Sequence, residues 1–561
     1  VRNLRSSDWF DSREYYSFAR RSTFRAQGLT RAATEGKPVI GICNTASDLN
    51  PCNRHLTQVS EAVKRGVWAA GGFPCEFPVI SLGEMFLKPS AMLYRNLMSM
   101  DVEEMIRANP IDAVVLLGGC DKTIPALLMG AASANIPALV VPGGPMLSGT
   151  FRGQTLGSGT DGRKHFDLYR AGKLNDDDMA ELECSIARSP GHCMVMGTAS
   201  SMALVAEALG MTLPGAAAWP AVDGRRMALA ERSGARAVEM ATGGPTPAQV
   251  MTRAAFENAI TALMSAGAST NAVIHLLAIA GRLGVPLTLD DFEVISARTP
   301  LLADLKPHGK YLMEDFAYAG GAGTLLKHLL PLLDGDAITV GGTTLAAQLE
   351  AHALHPQDVV REMANSLAPD GGIKVLRGNL SPNGSLIKTS AASDHLLVSR
   401  GRAIVFDSKD EMLEKVNDES FQVEPDQVLV LRNAGPHGGP GFPEWGQIPM
   451  PKSLMARGIT DIVRLSDARM SGTSFGTVVL HISPEAAIGG PLALVREGDW
   501  IRLNVHERKL QLEVSEAELA ERQATLLPRK PAYERGYGSL FLKHVEQAHL
   551  GCDFDFLKHQ S

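Results

Sequence analysis

Four apolar, β-branched runs punctuate the first 150 residues, at 38–43 (PVIGIC), 77–82 (FPVISL), 111–117 (IDAVVLL) and 136–141 (IPALVV). Each is bounded by Gly, Pro or Asn, and the intervening segments 56–69 and 91–108 carry helical spacing. Near-continuous apolar strands alternating with helices predict an α/β domain with a parallel sheet covered on both faces. From about 176 to 333 the pattern is mostly helical, and segment 247–266 shows it best, with Val250, Ala254, Ile260 and Met264 at near-helical spacing.

The texture changes from about 371. Short strands are predicted at 403–406, 428–431, 462–465, 478–482, 500–505 and 510–514, and the turn-sized link 506–509 makes the last two a hairpin. Several short strands with Gly/Pro-rich connections indicate a β-barrel-like second domain. The expected organisation is an N-terminal α/β domain over 1–350, with a helical middle region, and a C-terminal barrel-like domain over 371–561. No repeat or low-complexity segment interrupts it.

Composition narrows the class. The 561 residues are 45% hydrophobic and 20% charged, as in a globular enzyme, and are too many for one ordinary core. A formal charge of −7 without a polybasic block argues against a nucleic-acid or anionic-membrane partner. Residues 1–21 lack the apolar core of a secretory signal, and no stretch reaches the roughly 18 apolar residues of a spanning helix. Seven cysteines with no CxxC pair exclude zinc ribbons and thioredoxin chemistry and fit a reducing, cytoplasmic setting.

The unusual polar residues fall where the predicted strands end. The first runs into Asn44 and then 47–52 (SDLNPC), the second into Gly83-Glu84, and the third into Gly119-Cys120-Asp121-Lys122. Ligands of an open parallel sheet bind beyond the carboxyl ends of its strands, so Cys52, Cys120, Glu84, Asp121 and Lys122 are expected to converge. Cys193 sits in a turn, 189–193 (SPGHC), leading into a helix-like segment. Thiolates suit iron or zinc and carboxylates suit a hard cation, so two metal centres sharing a wall would account for the run. A buried cysteine followed by a solvated Asp/Lys pair would give the same spacing. Three isolated cysteines could also hold an iron–sulfur cluster with one position left free of protein ligands, open to a substrate oxygen.

Seven stretches, in order, resemble the dihydroxy-acid and sugar-acid dehydratases, a family that includes phosphogluconate dehydratase. They are 47–55 (SDLNPCNRH), 119–125 (GCDKTIP), 191–202 (GHCMVMGTASSM), 268–276 (ASTNAVIHL), 378–388 (GNLSPNGSLIK), 435–444 (GPHGGPGFPE) and 466–476 (SDARMSGTSFG). The resemblance implies a cluster on Cys52, Cys120 and Cys193, [2Fe–2S] in the sugar-acid branch or alternatively [4Fe–4S], and leaves Cys43, Cys75, Cys184 and Cys552 structural. It implies Mg²⁺ on Glu84, Asp121 and Glu444, with a carbamylated Lys122 as a further ligand. Ser471 takes the role of base and Thr473 helps hold the substrate, while Gly438, Gly439 and Gly441 let the Glu444 loop approach the metal.

Gly83-Glu84 together with 119–123 (GCDKT) is similar to the pentonate/hexonate branch, which includes L-arabinonate and D-xylonate dehydratases. The expected function is dehydration of a sugar acid to a 2-keto-3-deoxy acid by a carbon–oxygen lyase, assembled as a homodimer or homotetramer. A dihydroxy-acid dehydratase of branched-chain amino-acid synthesis is the alternative. An iron–sulfur redox or sensor protein is a remote one, which leaves Glu84, Asp121, Glu444 and Ser471 without a role. No G-x-G-x-x-G follows the first strand, against a nicotinamide or flavin enzyme.

Overall fold

The computed structural model describes residues 3–559; Val1, Arg2, Gln560 and Ser561, at the outer ends of the two expected domains, lie outside it. Strands β1 (Val39–Asn44), β2 (Phe73–Pro78), β3 (Ala113–Gly118) and β4 (Ala138–Pro142) form one parallel sheet in the order β2-β1-β3-β4. Every residue of β1, β3 and β4 is buried, as a strand covered on both faces requires.

Strand β2 lies four residues earlier than the expected 77–82. It is an edge strand paired with β1 alone, so Pro74 and Pro78, which lack the N–H of a central strand, fit there. The apolar residues 79–82 continue as irregular chain that still buries Leu82, and Glu84 sits on this extension.

Helices α1 (Leu56–Ala69), α2 (Arg95–Ala108) and α3 (Thr123–Ala134) connect and cover the strands. A small ribbon, β5 (Gly149–Phe151) and β6 (Gln154–Leu156), precedes α4 (Thr160–Arg170). The helical middle follows, with α5 (Thr198–Ala208), α6 (Gly224–Gly243), α7 (Arg253–Ser265) and α8 (Asn271–Arg282). Helices α1 and α6 meet backbone to backbone, because a Cβ on Gly66 would overlap Glu231 O and one on Gly234 would overlap Val63 O. The expected helix over 247–266 is two: a short Pro247–Val250 turn and α7. Thr252 breaks it by leaving helical geometry and accepting a hydrogen bond from Ala255 N as an N-cap.

The second half is a closed eight-stranded barrel. Its strands are β7 (Lys374–Gly378), β8 (Ser381–Ile387), β9 (Val398–Phe406), β10 (Val428–Leu431), β11 (Val463–Ser466), β12 (Val478–Ser483), β13 (Trp500–Asn504) and β14 (Lys509–Leu512). Their order around the barrel is β10-β11-β12-β8-β7-β14-β13-β9. Alternation sorts the apolar residues: Val428 and Val430 join one core cluster, while Leu429 and Leu431 join another on the opposite face.

Strands β7 and β8 were not among those expected. Pro382, Asn383 and Gly384 read as a turn, yet they lie inside β8, where irregular registers and a Gly384 φ of 104° absorb them. Residues 351–373, between the last helix of the first half and the barrel, run back over that half with bridges at Ala303/Val360 and Leu301/Ala368.

The C-terminal segment, including α9 (Gly536–His544), straps both halves together. Buried Arg95 donates to Gly551 O at 2.9 Å and Cys552 O at 2.8 Å, and Arg282 makes a two-pronged, fully buried ion pair with Asp553 at 2.5 and 3.0 Å. On the barrel side Gln547 donates to Glu485 Oε1 at 2.8 Å. Among the described residues no helix is long and apolar enough to cross a membrane.

Candidate active site

Three of the seven cysteines lie together. Cys52 is in the turn between β1 and α1, Cys120 directly follows β3, and Cys193 precedes α5. The Cys52 thiol lies beside Cys120, and that neighbour, with burial and the nearby Cys193 and Asp121, holds it well above its ordinary range. Burial pushes Cys193 up to about 12, with Asp121 adding to it. Cys43 is instead packed in the sheet core, Cys552 lies in a cluster under the C-terminal strap, Cys75 is on β2 and Cys184 is exposed. All seven thiols are free.

Several residues near these cysteines in the chain bury polar atoms without hydrogen-bond partners, namely Asn50 Oδ1, His55 Nδ1 and His192 Nε2, and Ser158 stands beside Cys193. Buried polar groups are rarely left unpaired, and a polar guest beside them would satisfy these atoms. Burial drives His192 down to about 3, so its imidazole is neutral.

Next to the thiols stands a cluster of carboxylates. The fully buried Lys122 ammonium lies 3.1 Å from Glu84 Oε2, 3.4 Å from Glu444 Oε1 and 3.7 Å from Asp121 Oδ2. Burial and Arg469 oppose the charge on Lys122, but the three carboxylates outweigh them and raise its pKa. Asp121 is pushed up to about 6 by burial, against the pull of Lys122. Burial also opposes ionisation of Glu444, but Lys122 and Arg469 overcome it and hold its carboxyl below the usual range.

Two residues not singled out from the sequence complete this cluster. Arg469, fully buried, donates to Glu444 Oε1 at 2.8 Å, to Phe442 O at 2.6 Å and to Ser90 Oγ at 3.1 Å. Asn271, in the first turn of α8, donates to Glu444 Oε1 at 2.9 Å and to Met470 O at 3.1 Å. Both lie inside motifs that the sequence displays, two residues before Ser471 and four residues into 268–276. Their role shows only once the two halves are brought together.

The barrel reaches the site with two loops. Glu444 lies on the loop from β10 to β11, whose root is pinned by buried Asp467, accepting from Ala434 N at 2.9 Å, and by Glu485, accepting from Gly438 N at 2.9 Å. The glycines of this loop lie where a side chain would clash. A Cβ on Gly441 would overlap Leu93, while Gly438 and Gly439 lie against Asn433 and Pro443 of their own loop.

The second loop, from β11 to β12, carries Ser471-Gly472-Thr473. A Cβ on Gly472 would stand 2.7 Å from Ser269 Cβ and 2.7 Å from Thr198 N, at the start of α5. Ser471 Oγ and Thr473 Oγ1 are 3.0 Å apart, and Thr160 Oγ1 donates to Thr473 O at 2.7 Å. The Ser471 hydroxyl is partly exposed and Thr473 is buried.

The sequence-selected residues thus form two adjoining donor sets, one of sulfur and one of oxygen, with a hydroxyl pair beside them. Among the described residues no three His, Cys, Asp or Glu side chains gather around one point as a metal's ligands do. The carboxylates gather around the Lys122 ammonium instead, which stands in for a cation. The donor types suit a soft iron centre on the thiols and a hard divalent cation on the carboxylates.

Comparison with known proteins agrees with this architecture. Residues 37–348 match the dihydroxy-acid/6-phosphogluconate dehydratase N-terminal family and residues 358–552 the corresponding C-terminal family. The chain belongs to this family of dehydratases, which are carbon–oxygen lyases, and its relatives put it in the pentonate branch. It is 51% identical to L-arabonate dehydratase of Azospirillum brasilense, over 99% of this chain and 97% of the relative. It is 49% identical to L-arabinonate dehydratase of Rhizobium leguminosarum bv. trifolii (strain WSM2304), over 99% and 96%. It is 45% identical to 6-deoxy-6-sulfo-D-gluconate dehydratase of Pseudomonas putida, over 100% and 97%.

Proposed function

We propose that the protein removes water from an aldonic acid, a pentonate or hexonate, to give a 2-keto-3-deoxy acid. The observation that carries this reading is the insertion of Ser471-Gly472-Thr473 from the barrel against Thr198 and Ser269, beside the thiols and carboxylates of the sheet half. A hydroxyl pair next to a dense cluster of charge is what proton abstraction α to a carboxylate needs. The names of relatives 49% and 51% identical support a pentonate substrate.

In this reading Cys52, Cys120 and Cys193 hold an iron–sulfur cluster, [2Fe–2S] by family resemblance, and Glu84, Asp121 and Glu444 hold Mg²⁺ with Lys122. Carbamylation of Lys122 replaces an ammonium with an anionic oxygen donor, a change that three neighbouring carboxylates accommodate only with a divalent cation among them. When bound, these groups supply Lewis acidity at the C3 hydroxyl and at the carboxylate end of the acid.

The chain's own residues do the rest. Ser471, ionised to its alkoxide by loss of its own proton to solvent, takes the proton from C2 on Oγ, and the Thr473 hydroxyl, 3.0 Å away, donates to that oxygen and stabilises its charge before the transfer. Arg469 and Asn271 fix Glu444 so that the cluster does not rearrange as charge moves. The C2 hydrogen and the C3 hydroxyl leave as water, and the enol tautomerises to the keto acid. The free thiols suit the reducing cytoplasm, and the family carries over a homodimer or homotetramer.

The test is an anaerobic screen of the reconstituted protein against C4–C6 aldonates and 2,3-dihydroxy-isovalerate, scored by keto-acid formation. Turnover of pentonates or hexonates with little on the branched acid is the expected result. Preference for dihydroxy-isovalerate would replace this reading with branched-chain acid dehydration, and no turnover of any acid would overturn it.

A further inference from the structure

The cations around the hydroxyl pair are almost all committed. Lys122 and Arg469 are held by the carboxylate cluster, and Lys306 is 2.5 Å from Asp161 Oδ2. Lys164 stands over the Phe475 ring at 5.4 Å, with Asp161 at 3.9 Å. Arg163 differs. It is exposed and makes no side-chain hydrogen bond or ion pair among the described residues.

Its position is set by the start of α4. A Cβ on Gly159 would lie 2.5 Å from Thr473 Oγ1, and Thr160 Oγ1 donates to Thr473 O, so the first turn of α4 is pressed against the Ser471–Thr473 loop. Arg163 follows Gly159 and Thr160 by four and three residues, which puts it on the helix face that meets the loop. Its charge also reaches Glu444, where it helps hold the carboxyl down. Arg163 therefore stands at the solvent side of the site, one turn out from the residues proposed to act at C2.

We propose that Arg163 is a specificity-determining residue that binds the distal, C5–C6 end of the acid. The inference rests on the sugar-acid reading above. In that reading the carboxylate end lies at the Lys122 cluster, so the remaining carbons extend away from it, and a free guanidinium at the outer rim meets them. A planar fork of N–H donors matches adjacent hydroxyl oxygens, and matches a terminal sulfonate or phosphate still better.

The test compares wild type, Arg163→Ala and Arg163→Lys as anaerobically reconstituted holoenzymes. The readout is kcat/KM on C4, C5 and C6 aldonates and on 6-deoxy-6-sulfo-gluconate. A charge-assisted hydrogen bond corresponds to about 10–100-fold. The Arg163→Ala loss is expected to stay within about 2-fold on the C4 acid, reach that range on C6 and be largest on the sulfonate. Lysine should restore part of the sulfonate rate, because it keeps the charge but not the fork.

An equal loss at every chain length would assign Arg163 to the carboxylate end or to structure, and no loss at any length would remove it from substrate binding; either overturns the inference. The sugar-acid reading fails separately, if the wild type itself turns over none of the aldonates.

Discussion

Cys120, Asp121 and Lys122 follow directly on a strand whose every residue is buried, whereas Glu444 and Ser471 ride on long loops of the barrel. The sheet half fixes its chemistry by backbone position, since the end of β3 cannot move without disturbing the core. The barrel half fixes its chemistry by docking: Gly441 against Leu93, Gly472 against Ser269, and Asn271 and Arg469 converging on Glu444 from the two sides. The sulfur set and two of the three carboxylates are thus built into one half, and Glu444 and the hydroxyl pair arrive with the other. Neither half holds the whole site.

The largest effect should come from the thiols. Cys120→Ser is expected to abolish both the iron–sulfur absorption and turnover, while Cys43→Ser, in the sheet core away from the other thiols, leaves both near wild type. Visible absorption after anaerobic reconstitution checks this, and a fully absorbing Cys120→Ser would detach the cluster from the strand end.

The strap between the halves can be broken at its buried ion pair. Arg282→Met leaves Asp553 charged and unpaired, which typically costs about 3–5 kcal/mol. Denaturant unfolding should show that loss, and the double variant Arg282→Met/Asp553→Leu should recover much of it. Failure of the double variant to recover would mean that the strap is held by its backbone contacts to Arg95 instead.

Docking of the hydroxyl loop is tested by Gly472→Ala. The added methyl meets Ser269 and Thr198 N at 2.7 Å, so the loop must shift. Overpacking of this kind costs about 1–3 kcal/mol. Activity should fall by at least 10-fold while the cluster absorption stays, because the thiols belong to the other half. Unchanged activity would show that the loop position is not critical.

The sequence made these halves legible to different depths. The parallel sheet was readable because β1, β3 and β4 are continuous apolar runs, and the residues beyond them were conspicuous as Cys, Asp and Lys. Strand β2 was misplaced because an edge strand carries prolines that a central one cannot. In the barrel, β10 to β14 followed the short-strand pattern, but β7 and β8 were hidden by Pro382, Asn383 and Gly384, where local turn chemistry is overridden by barrel closure. The contributions of Asn271 and Arg469 were invisible for a different reason. Each acts across the junction, and no local pattern encodes which side chains a docking event will bring together.

The smallest expected effect on activity concerns Lys388, at the end of β8, whose consequence is for stability. It is buried, its ammonium has no partner among the described residues, and burial lowers its pKa to about 7. The unfolded chain holds this proton up to its ordinary pKa, so between about 7 and 10 the unfolded state binds more protons and wild-type stability rises with pH. Lys388→Met removes the dependence and should raise the stability near pH 7, where the buried charge is least favourable. Thermal unfolding from pH 7 to 10 checks it. A variant with the same pH slope as wild type would mean that Lys388 gains a partner in solution.

The central claim is that the barrel supplies the base to a charge cluster in which Glu84, Asp121 and Lys122 of the sheet half meet Glu444 of the barrel. It is tested most directly by hydrogen–deuterium exchange at C2 of the acid, followed by NMR with Ser471→Ala in deuterated buffer. The account predicts that the variant keeps its cluster absorption, still binds the acid, and loses C2 exchange together with about 10²–10⁴-fold of kcat. Wild-type exchange and dehydration rates in Ser471→Ala would contradict it and return the proton to a residue of the sheet half.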